Sequence, residues 1–242
     1  MEIKKTLEVI KEKISVACKK SGRSANEVCI IGVTKTYHYE TIEESVECGL
    51  FNIGESYVQE AVKKIDETKF RMSPSDYKKI VWHFIGGLQT NKIKYLKDYF
   101  SYIHSIDNER QLAELDKRIT SPLRLFFEIN AGAEESKSGG TIESTVTLVE
   151  KLLLLNEKRA ADSKPALEPF GLMCMPPLSD NPEDSHPHFA FLRGCLEQIN
   201  KKLGLKMKGL SMGMSDDFDI AVEEGATHVR IGTMLYGERK YF

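Results

Sequence analysis

The chain has 242 residues, of which 41% are hydrophobic and 29% are charged, and its formal net charge at pH 7 is -2. These proportions are those of an ordinary globular protein, and they exclude a disordered chain, a collagen and a disulfide scaffold. The 34 basic residues are balanced by 36 acidic ones, so the net charge gives no electrostatic attraction to nucleic acid or to an anionic membrane. The length suits one large α/β core and would leave two ordinary domains cramped, so we expect a single domain over residues 1–242.

The N-terminus predicts an amphipathic helix and not a targeting segment. Leu7, Ile10, Ile14 and Ala17 recur at helical spacing among charged residues, without the apolar core of a secretory signal. The longest apolar stretches are far shorter than the roughly 20 residues that cross a bilayer. The five cysteines are scattered and form no CxxC pair, which indicates free thiols in a reducing compartment. We therefore expect a cytoplasmic protein that has no membrane segment.

Strand-like and helix-like segments then alternate along the chain. Apolar, β-branched runs predict eight buried strands, over residues 28–33, 51–53, 81–85, 102–106, 123–129, 170–173, 208–210 and 227–231. Amphipathic periodicity and capping residues predict helices over 41–48, 57–67, 90–97, 108–118, 142–155, 188–203 and 216–224, with a final turn after Thr233. The polar or proline-containing segments at 70–79, 156–168 and 176–188 predict loops, the first two of which resemble insertions.

Eight such units and a leading helix predict a (β/α)8 TIM barrel with an extra N-terminal helix. The spacing of the strands and helices is that of parallel βαβ units. An open doubly wound sheet is the alternative, but no GxGxxG motif follows the first strand, and no shift in composition marks a domain boundary. In a TIM barrel, the functional site lies on the loops at the carboxyl ends of the strands. The chemistry-bearing residues are therefore sought at those strand ends.

Lys35 is the first candidate, because it directly follows the apolar run of the first strand. Partial desolvation there would lower the pKa of the amine and expose a nucleophile. Such amines form Schiff bases with carbonyl compounds. The alternative is an ordinary lysine that extends its ammonium group into water at a strand end.

The loops after the seventh and eighth strands predict a phosphate site. Ser211 and Ser215 lie in the sequence SMGMS before one helix, and Gly232 and Thr233 lie at the start of another. Glycine lets the backbone approach a ligand closely, and exposed N–H groups at a helix start favour an anion. Ordinary helix capping by the hydroxyls is the alternative, and both can hold at once. A lysine on the first strand opposite such loops suggests a phosphorylated aldehyde as the ligand.

The histidines predict no metal site. His83 lies inside an apolar strand and is interpreted as a hydrogen-bonded core histidine. His186 and His188 lie in a proline-rich loop and are expected to be solvated. No set of residues along the chain has the spacing of metal ligands, so the sequence predicts no bound metal.

Seven short motifs follow one another along the chain. They are IGVTK at 31–35, NIGE at 52–55, WHFIGGLQTNK at 82–92, ESKSG at 135–139, GLM at 171–173, LSMGMS at 210–215 and VRIGT at 229–233, with Tyr236 and Gly237. In this order they resemble the pyridoxal phosphate homeostasis protein family, whose barrel is similar to the N-terminal domain of alanine racemase. The motifs span nearly the whole chain and together are highly specific. The sequence departs from the family pattern at Gly87, where a histidine is more common.

The resemblance implies that pyridoxal 5′-phosphate is the cofactor and assigns three residues to its ring. Lys35 would hold it as an internal aldimine. Asn52 would lie beside the ring, and Arg230 would face the pyridine nitrogen. None of the departures from the family pattern falls on these positions.

The resemblance also implies the phosphate site and the function. Ser215 and the backbone of Gly232 and Thr233 would bind the phosphate, with Ser211 nearby. The protein would hold pyridoxal 5′-phosphate inside the cell and hand it to apo-enzymes, which are the expected partners besides the cofactor. No catalytic residue is carried over to this chain.

Two catalytic functions stay open as alternatives. A pyridoxal-phosphate-dependent racemase or related enzyme uses the pyridinium as an electron sink, which an arginine at the ring nitrogen weakens, although alanine racemase works with a similar arginine and two bases. The chain ends soon after the eighth strand, without the β-rich domain that supplies a tyrosine base and dimer contacts in alanine racemase, so we expect little racemase turnover and a monomer. A Schiff-base aldolase acting on phosphosugars needs an acid/base carboxylate, and Glu55 is the nearest choice.

Overall fold

Eight parallel strands close into a barrel in which each strand pairs with the next and β8 pairs with β1. This closed parallel sheet confirms the predicted TIM barrel. The computed structural model describes residues 2–96, 98–132 and 138–238. The strands are Cys29–Val33 (β1), Asn52–Glu55 (β2), Val81–Phe84 (β3), Tyr102–Ile106 (β4), Leu123–Glu128 (β5), Leu167–Met173 (β6), Gly209–Ser211 (β7) and His228–Ile231 (β8).

Helices form the outer layer of the barrel. The predicted apolar stripe of the first helix, from Leu7 to Ala17, is buried, and this helix packs against the helices that flank β8. Within the described ranges, none of the helices combines the length and apolar character that a bilayer crossing needs. The α-helices are Glu2–Lys20 (α1), Glu40–Glu47 (α2), Val58–Arg71 (α3), Pro74–Tyr77 (α4), Glu109–Arg118 (α5), Ile142–Ala161 (α6), His186–Leu203 (α7), Phe218–Glu223 (α8) and Thr233–Tyr236 (α9).

Several predicted boundaries are wrong by a few residues. The helix predicted over 90–97 is a 3-10 helix over Thr90–Tyr95, and Lys97 lies outside the described residues. The proline-rich loop predicted over 176–188 contains a 3-10 helix over Pro182–Ser185 and ends where α7 begins at His186. The proline after His186 suits this position, because the first turn of a helix needs no backbone donor there.

The predicted loop over 70–79 is partly helical. Helix α3 continues to Arg71, and the short helix α4 follows. Ser73 caps α4, since its hydroxyl accepts a hydrogen bond from the Asp76 N–H at 3.1 Å, and Pro74 occupies the first turn. Serine followed by proline is a local helix-start signal, which the polar composition of the segment concealed.

The predicted loop over 156–168 is corrected in the same way, because α6 extends to Ala161. Its last turn is held by Arg159, which is 1% exposed. The guanidinium donates to the carbonyl oxygens of Asp116, Ile119 and Pro165 and to the Asp116 carboxylate at 2.8 Å. This arginine joins the end of α6 to α5 and to the segment before β6. The sequence alone does not reveal the contact, because a charged residue in a polar segment predicts exposure.

Helix α9 closes onto β1 at a glycine. The Tyr236 hydroxyl lies 2.9 Å from Ser45 Oγ of α2. A Cβ atom at Gly32 would overlap that hydroxyl and lie 2.8 Å from Leu50 Cδ2. Only glycine therefore leaves room for α9, and this packing fixes the loop after β8 relative to the first strand.

We expect Arg159→Met to lower the free energy of unfolding by about 3 kcal/mol. The substitution leaves buried carbonyl oxygens without donors and the Asp116 carboxylate without its closest cation. Denaturant titration followed by circular dichroism measures the change. The control is Arg118→Met, whose side chain is 50% exposed on α5 and should cost less than about 0.5 kcal/mol. Equal losses in the two variants would contradict the anchoring role of Arg159.

Candidate functional site

The carboxyl ends of the first strands surround a cavity of about 480 Å³ that contains Lys35. Lys35 is half-buried and lies in the turn two residues after the last residue of β1, at the strand end where the sequence predicted it. A second cation, Lys92, lines the same cavity, together with Gln59 and the backbone of the loop after β3. Gly87 in that loop lines the cavity, and a Cβ atom there would contact nothing within 4 Å.

The backbone on either side of Lys35 is held by two charged side chains of α3. Lys64 Nζ donates to the Thr34 carbonyl oxygen at 2.7 Å, and the Thr36 N–H donates to Glu60 Oε1 at 2.6 Å. Thr36 has a φ of +68°, a left-handed conformation that costs a β-branched residue free energy. The α3 contacts therefore hold a strained turn immediately after Lys35.

Glu55 does not point into this cavity. It is fully buried, and its Oε1 accepts hydrogen bonds from Lys64 Nζ at 2.8 Å and from the Thr34 hydroxyl at 2.6 Å. Its Oε2 has no partner in the described part of the chain. Burial raises the pKa of Glu55, and the adjacent Lys64 opposes that rise. The carboxylate faces α3, so it is not placed to act as the acid/base group of an aldolase at Lys35.

The loops after β7 and β8 meet as the sequence predicted. Ser215 Oγ accepts hydrogen bonds from the Met234 N–H and from the Thr233 hydroxyl, both at 3.2 Å. Gly232 is buried immediately before α9. Gly213 has a φ of +88°, and a Cβ atom there would lie 2.9 Å from the backbone of α8. The tight turn at this glycine lets the loop after β7 reach the start of α9.

Arg230 is buried in the barrel interior, where only 5% of it is exposed. Its Nη1 donates to Ser211 Oγ at 2.7 Å, and its Nη2 donates to the Cys174 carbonyl oxygen at 3.0 Å. Burial lowers the pKa of Arg230, but a guanidinium remains charged at neutral pH. Ser211 is fully buried, and its hydroxyl accepts the hydrogen bond from Arg230.

Two histidines continue this polar contact across the barrel. Ser211 Oγ lies 2.8 Å from His104 Nδ1, and His104 Nε2 lies 3.0 Å from His83 Nδ1. His83 Nε2 in turn lies 3.1 Å from Asn52 Oδ1. Burial lowers the pKa of both histidines well below the ordinary value. The interpretation of His83 as a hydrogen-bonded core histidine is confirmed, whereas the sequence analysis missed His104.

Glu128, which closes β5, was also missed. It is 4% exposed and lines a second cavity of about 340 Å³. Burial, reinforced by Asp107 and opposed by Arg230, raises the pKa of Glu128 to about 7. Met175 lines both cavities, which therefore adjoin. A single carboxylate at the end of the apolar run LRLFFE is the signal that could have identified Glu128.

The sequence matches the model of the alanine racemase N-terminal domain family over residues 7–240. It is 41% identical over 233 residues to the pyridoxal phosphate homeostasis protein of Aquifex aeolicus, covering 95% of each chain. The protein of the same name from Escherichia coli is 35% identical over 250 residues, covering 99% of this chain and 98% of that one.

Among solved structures, PipY of Synechococcus elongatus, which was determined with pyridoxal phosphate bound, matches with a TM-score of 0.78 at 26% identity. The match covers 97% of this chain and 100% of PipY. Alanine racemase from Corynebacterium glutamicum matches in fold with a TM-score of 0.65 at 15% identity, covering 96% of this chain and 61% of the racemase. The chain thus belongs to the pyridoxal phosphate homeostasis protein family and has the barrel of the alanine racemase N-terminal domain.

Proposed function

We propose that this protein binds pyridoxal 5′-phosphate as a Schiff base with Lys35 and holds it for transfer to apo-enzymes. The observation that carries the proposal is Lys35 in a cavity at the same barrel end as the joined Ser215 and Thr233 hydroxyls. The named relatives and the ligand of PipY support the same cofactor. The residues fit its chemistry, since an amine, hydroxyl donors and a cationic donor match its aldehyde, phosphate and ring nitrogen.

Lys35 supplies reversible attachment. Its amine condenses with an aldehyde carbon to form a C=N bond and releases one water molecule, and the reverse hydrolysis returns the free amine and the aldehyde. The contacts of Lys64 and Glu60 with the neighbouring backbone hold Lys35 in place during both condensation and hydrolysis. Loading and release therefore need no further reactant than water.

Neutral donors supply the phosphate contacts in this proposal. The hydroxyls of Ser215 and Thr233 lie together, and the backbone N–H groups of Gly232 and Thr233 open α9. Hydrogen bonds of this kind to an anion each contribute a modest free energy. Such a site holds the phosphate while still permitting its release to a recipient enzyme.

Arg230 favours storage over catalysis. When bound, pyridoxal 5′-phosphate supplies an electron sink whose strength depends on protonation of the ring nitrogen. A guanidinium at that nitrogen can only donate, so it opposes protonation. The hydrogen bonds to Ser211 and to the Cys174 carbonyl fix Arg230 in this role.

We expect the purified protein to be yellow and Lys35→Ala to be colourless, because only an amine at this position forms the conjugated imine. Borohydride reduction followed by peptide mass spectrometry should place the label on Lys35. The control is Lys94→Ala, whose ammonium group lies 4.9 Å from the Tyr95 ring centroid and should keep both colour and label. A label on another lysine of the wild-type protein would contradict the assignment.

We expect Ser215→Ala to weaken cofactor binding about tenfold while the imine absorption band persists, because a phosphate contact is lost and Lys35 remains. Equilibrium dialysis measures the affinity. Recovery of activity by an added apo-aminotransferase measures transfer, which should become faster. The control is Ser73→Ala, because Ser73 caps α4 and does not belong to the loops after β7 and β8. An unchanged affinity would place the phosphate elsewhere.

We expect the loaded protein to racemise alanine negligibly, because Arg230 would oppose protonation of the ring nitrogen and so weaken the electron sink that a carbanion uses. A coupled assay for D-alanine, with alanine racemase as the positive control, measures the rate. Formation of D-alanine at an enzyme-like rate would instead support the racemase alternative.

A further inference from the structure

Five side chains form a continuous hydrogen-bonded row through the barrel interior. The row runs from Arg230 through Ser211, His104 and His83 to Asn52, with successive distances of 2.7, 2.8, 3.0 and 3.1 Å. It connects β8, β7, β4, β3 and β2, and its two ends are the residues that the proposed function places at the cofactor ring. Ser211 holds Arg230, whereas the two histidines have no role in that function.

The chemistry of the two ends gives the row a direction. The Arg230 guanidinium can only donate, so Ser211 Oγ accepts from it. The Ser211 proton can then be donated to His104 Nδ1, and His104 Nε2–H can donate to His83 Nδ1. At the far end Asn52 Oδ1 can only accept, which requires a proton on His83 Nε2. In this direction every donor in the row meets one acceptor.

Aromatic neighbours hold the two imidazole rings in the planes that this direction needs. His83 stacks on Tyr102 with ring centroids 4.4 Å apart and planes 5° apart. His104 stacks on Phe126 with centroids 4.2 Å apart and planes 20° apart. Both histidines are fully buried, so solvent supplies no competing partner. The rings therefore cannot turn to exchange their nitrogen atoms without breaking the packing of the core.

We propose that His83 and His104 are positioning residues, fixed as neutral Nε2–H tautomers, that orient Asn52 so that its amide N–H2 group is the donor offered to the cofactor. This inference rests on the proposed function, because it takes Asn52 and Arg230 to lie at the same ring. The Asn52 oxygen is occupied by His83, so the amide nitrogen is the atom that recognises the ligand. An acceptor such as the phenolate oxygen of the pyridoxal ring has the matching chemistry.

The tautomers can be measured in the ligand-free protein, independently of cofactor binding. Nitrogen NMR of protein labelled with ¹⁵N-histidine should show Nε2–H tautomers for both residues between pH 6 and pH 8. The signals are assigned by their loss in His83→Gln and His104→Gln. The charged or titratable groups that face the two rings among the described residues are His228, Arg230 and the stacked Tyr102, together with the histidines themselves. Protonated Nδ1 atoms or averaged tautomers would overturn the proposal.

A pair of variants tests the positioning role. His104→Phe keeps a planar ring but removes both hydrogen bonds, whereas His104→Gln keeps one acceptor and one donor. We expect His104→Phe to average the His83 tautomers and to weaken pyridoxal 5′-phosphate binding about tenfold, while His104→Gln stays within about threefold of wild type. Equal affinity in His104→Phe and wild type would overturn the proposal.

Ser211→Ala provides a second interruption of the row if His104→Phe fails to fold. It removes the proton donor to His104 Nδ1, so the tautomers should again average and the affinity should fall. Unchanged tautomers in Ser211→Ala would overturn the proposal. Absence of the borohydride label from Lys35 of the wild-type protein would refute the proposed function, whereas the tautomers of the ligand-free protein test the row by itself.

Discussion

In the closed sheet, β1 pairs with β8 so that Ile31 lies opposite Arg230 and Gly32 lies opposite Ile231. This pairing joins the first and last strands of the sheet, and the rest of the site depends on it. It brings the strand that ends before Lys35 next to the strand that carries Arg230 and leads into Gly232. An open sheet built from the same strands would leave Lys35 and the loop that contains Gly232 at opposite edges. Closure therefore creates the site as well as the core.

Burial of polar groups is the cost of building the site inside a barrel, and the structure offsets it with hydrogen bonds. Arg230 is held by Ser211 and a carbonyl oxygen, and the histidines connect Ser211 to Asn52. On the outer side of the sheet, Lys64 pairs with one oxygen of the buried Glu55 carboxylate. The same lysine holds the strained turn that follows Lys35, where Thr36 adopts a left-handed conformation. Such strain persists only where surrounding contacts enforce it.

The eight strands could be predicted because strands covered on both faces are continuous apolar runs, a pattern that each strand carries by itself. The ends of the strands and of the helices were predicted less accurately. Helix α6 runs to Ala161 because Arg159 is buried against α5, and α4 forms where the composition indicated a loop. In both places a contact or a cap decides the boundary, and local polarity is a poor guide to either.

The sequence by itself determined the barrel, Lys35 at the end of the first strand, and the serine, glycine and threonine of the last two loops. These features are local, since each follows from a few consecutive residues and their position after a strand. Only the tertiary structure revealed three features: the hydrogen-bonded row through His104, the contact of Lys64 with the backbone beside Lys35, and the buried Glu128. In that row, His83 and His104 are 21 residues apart in the sequence, and His104 and Ser211 are 107 residues apart. Periodicity reports which face of a strand is buried, but the partner across a closed barrel is decided by register and packing.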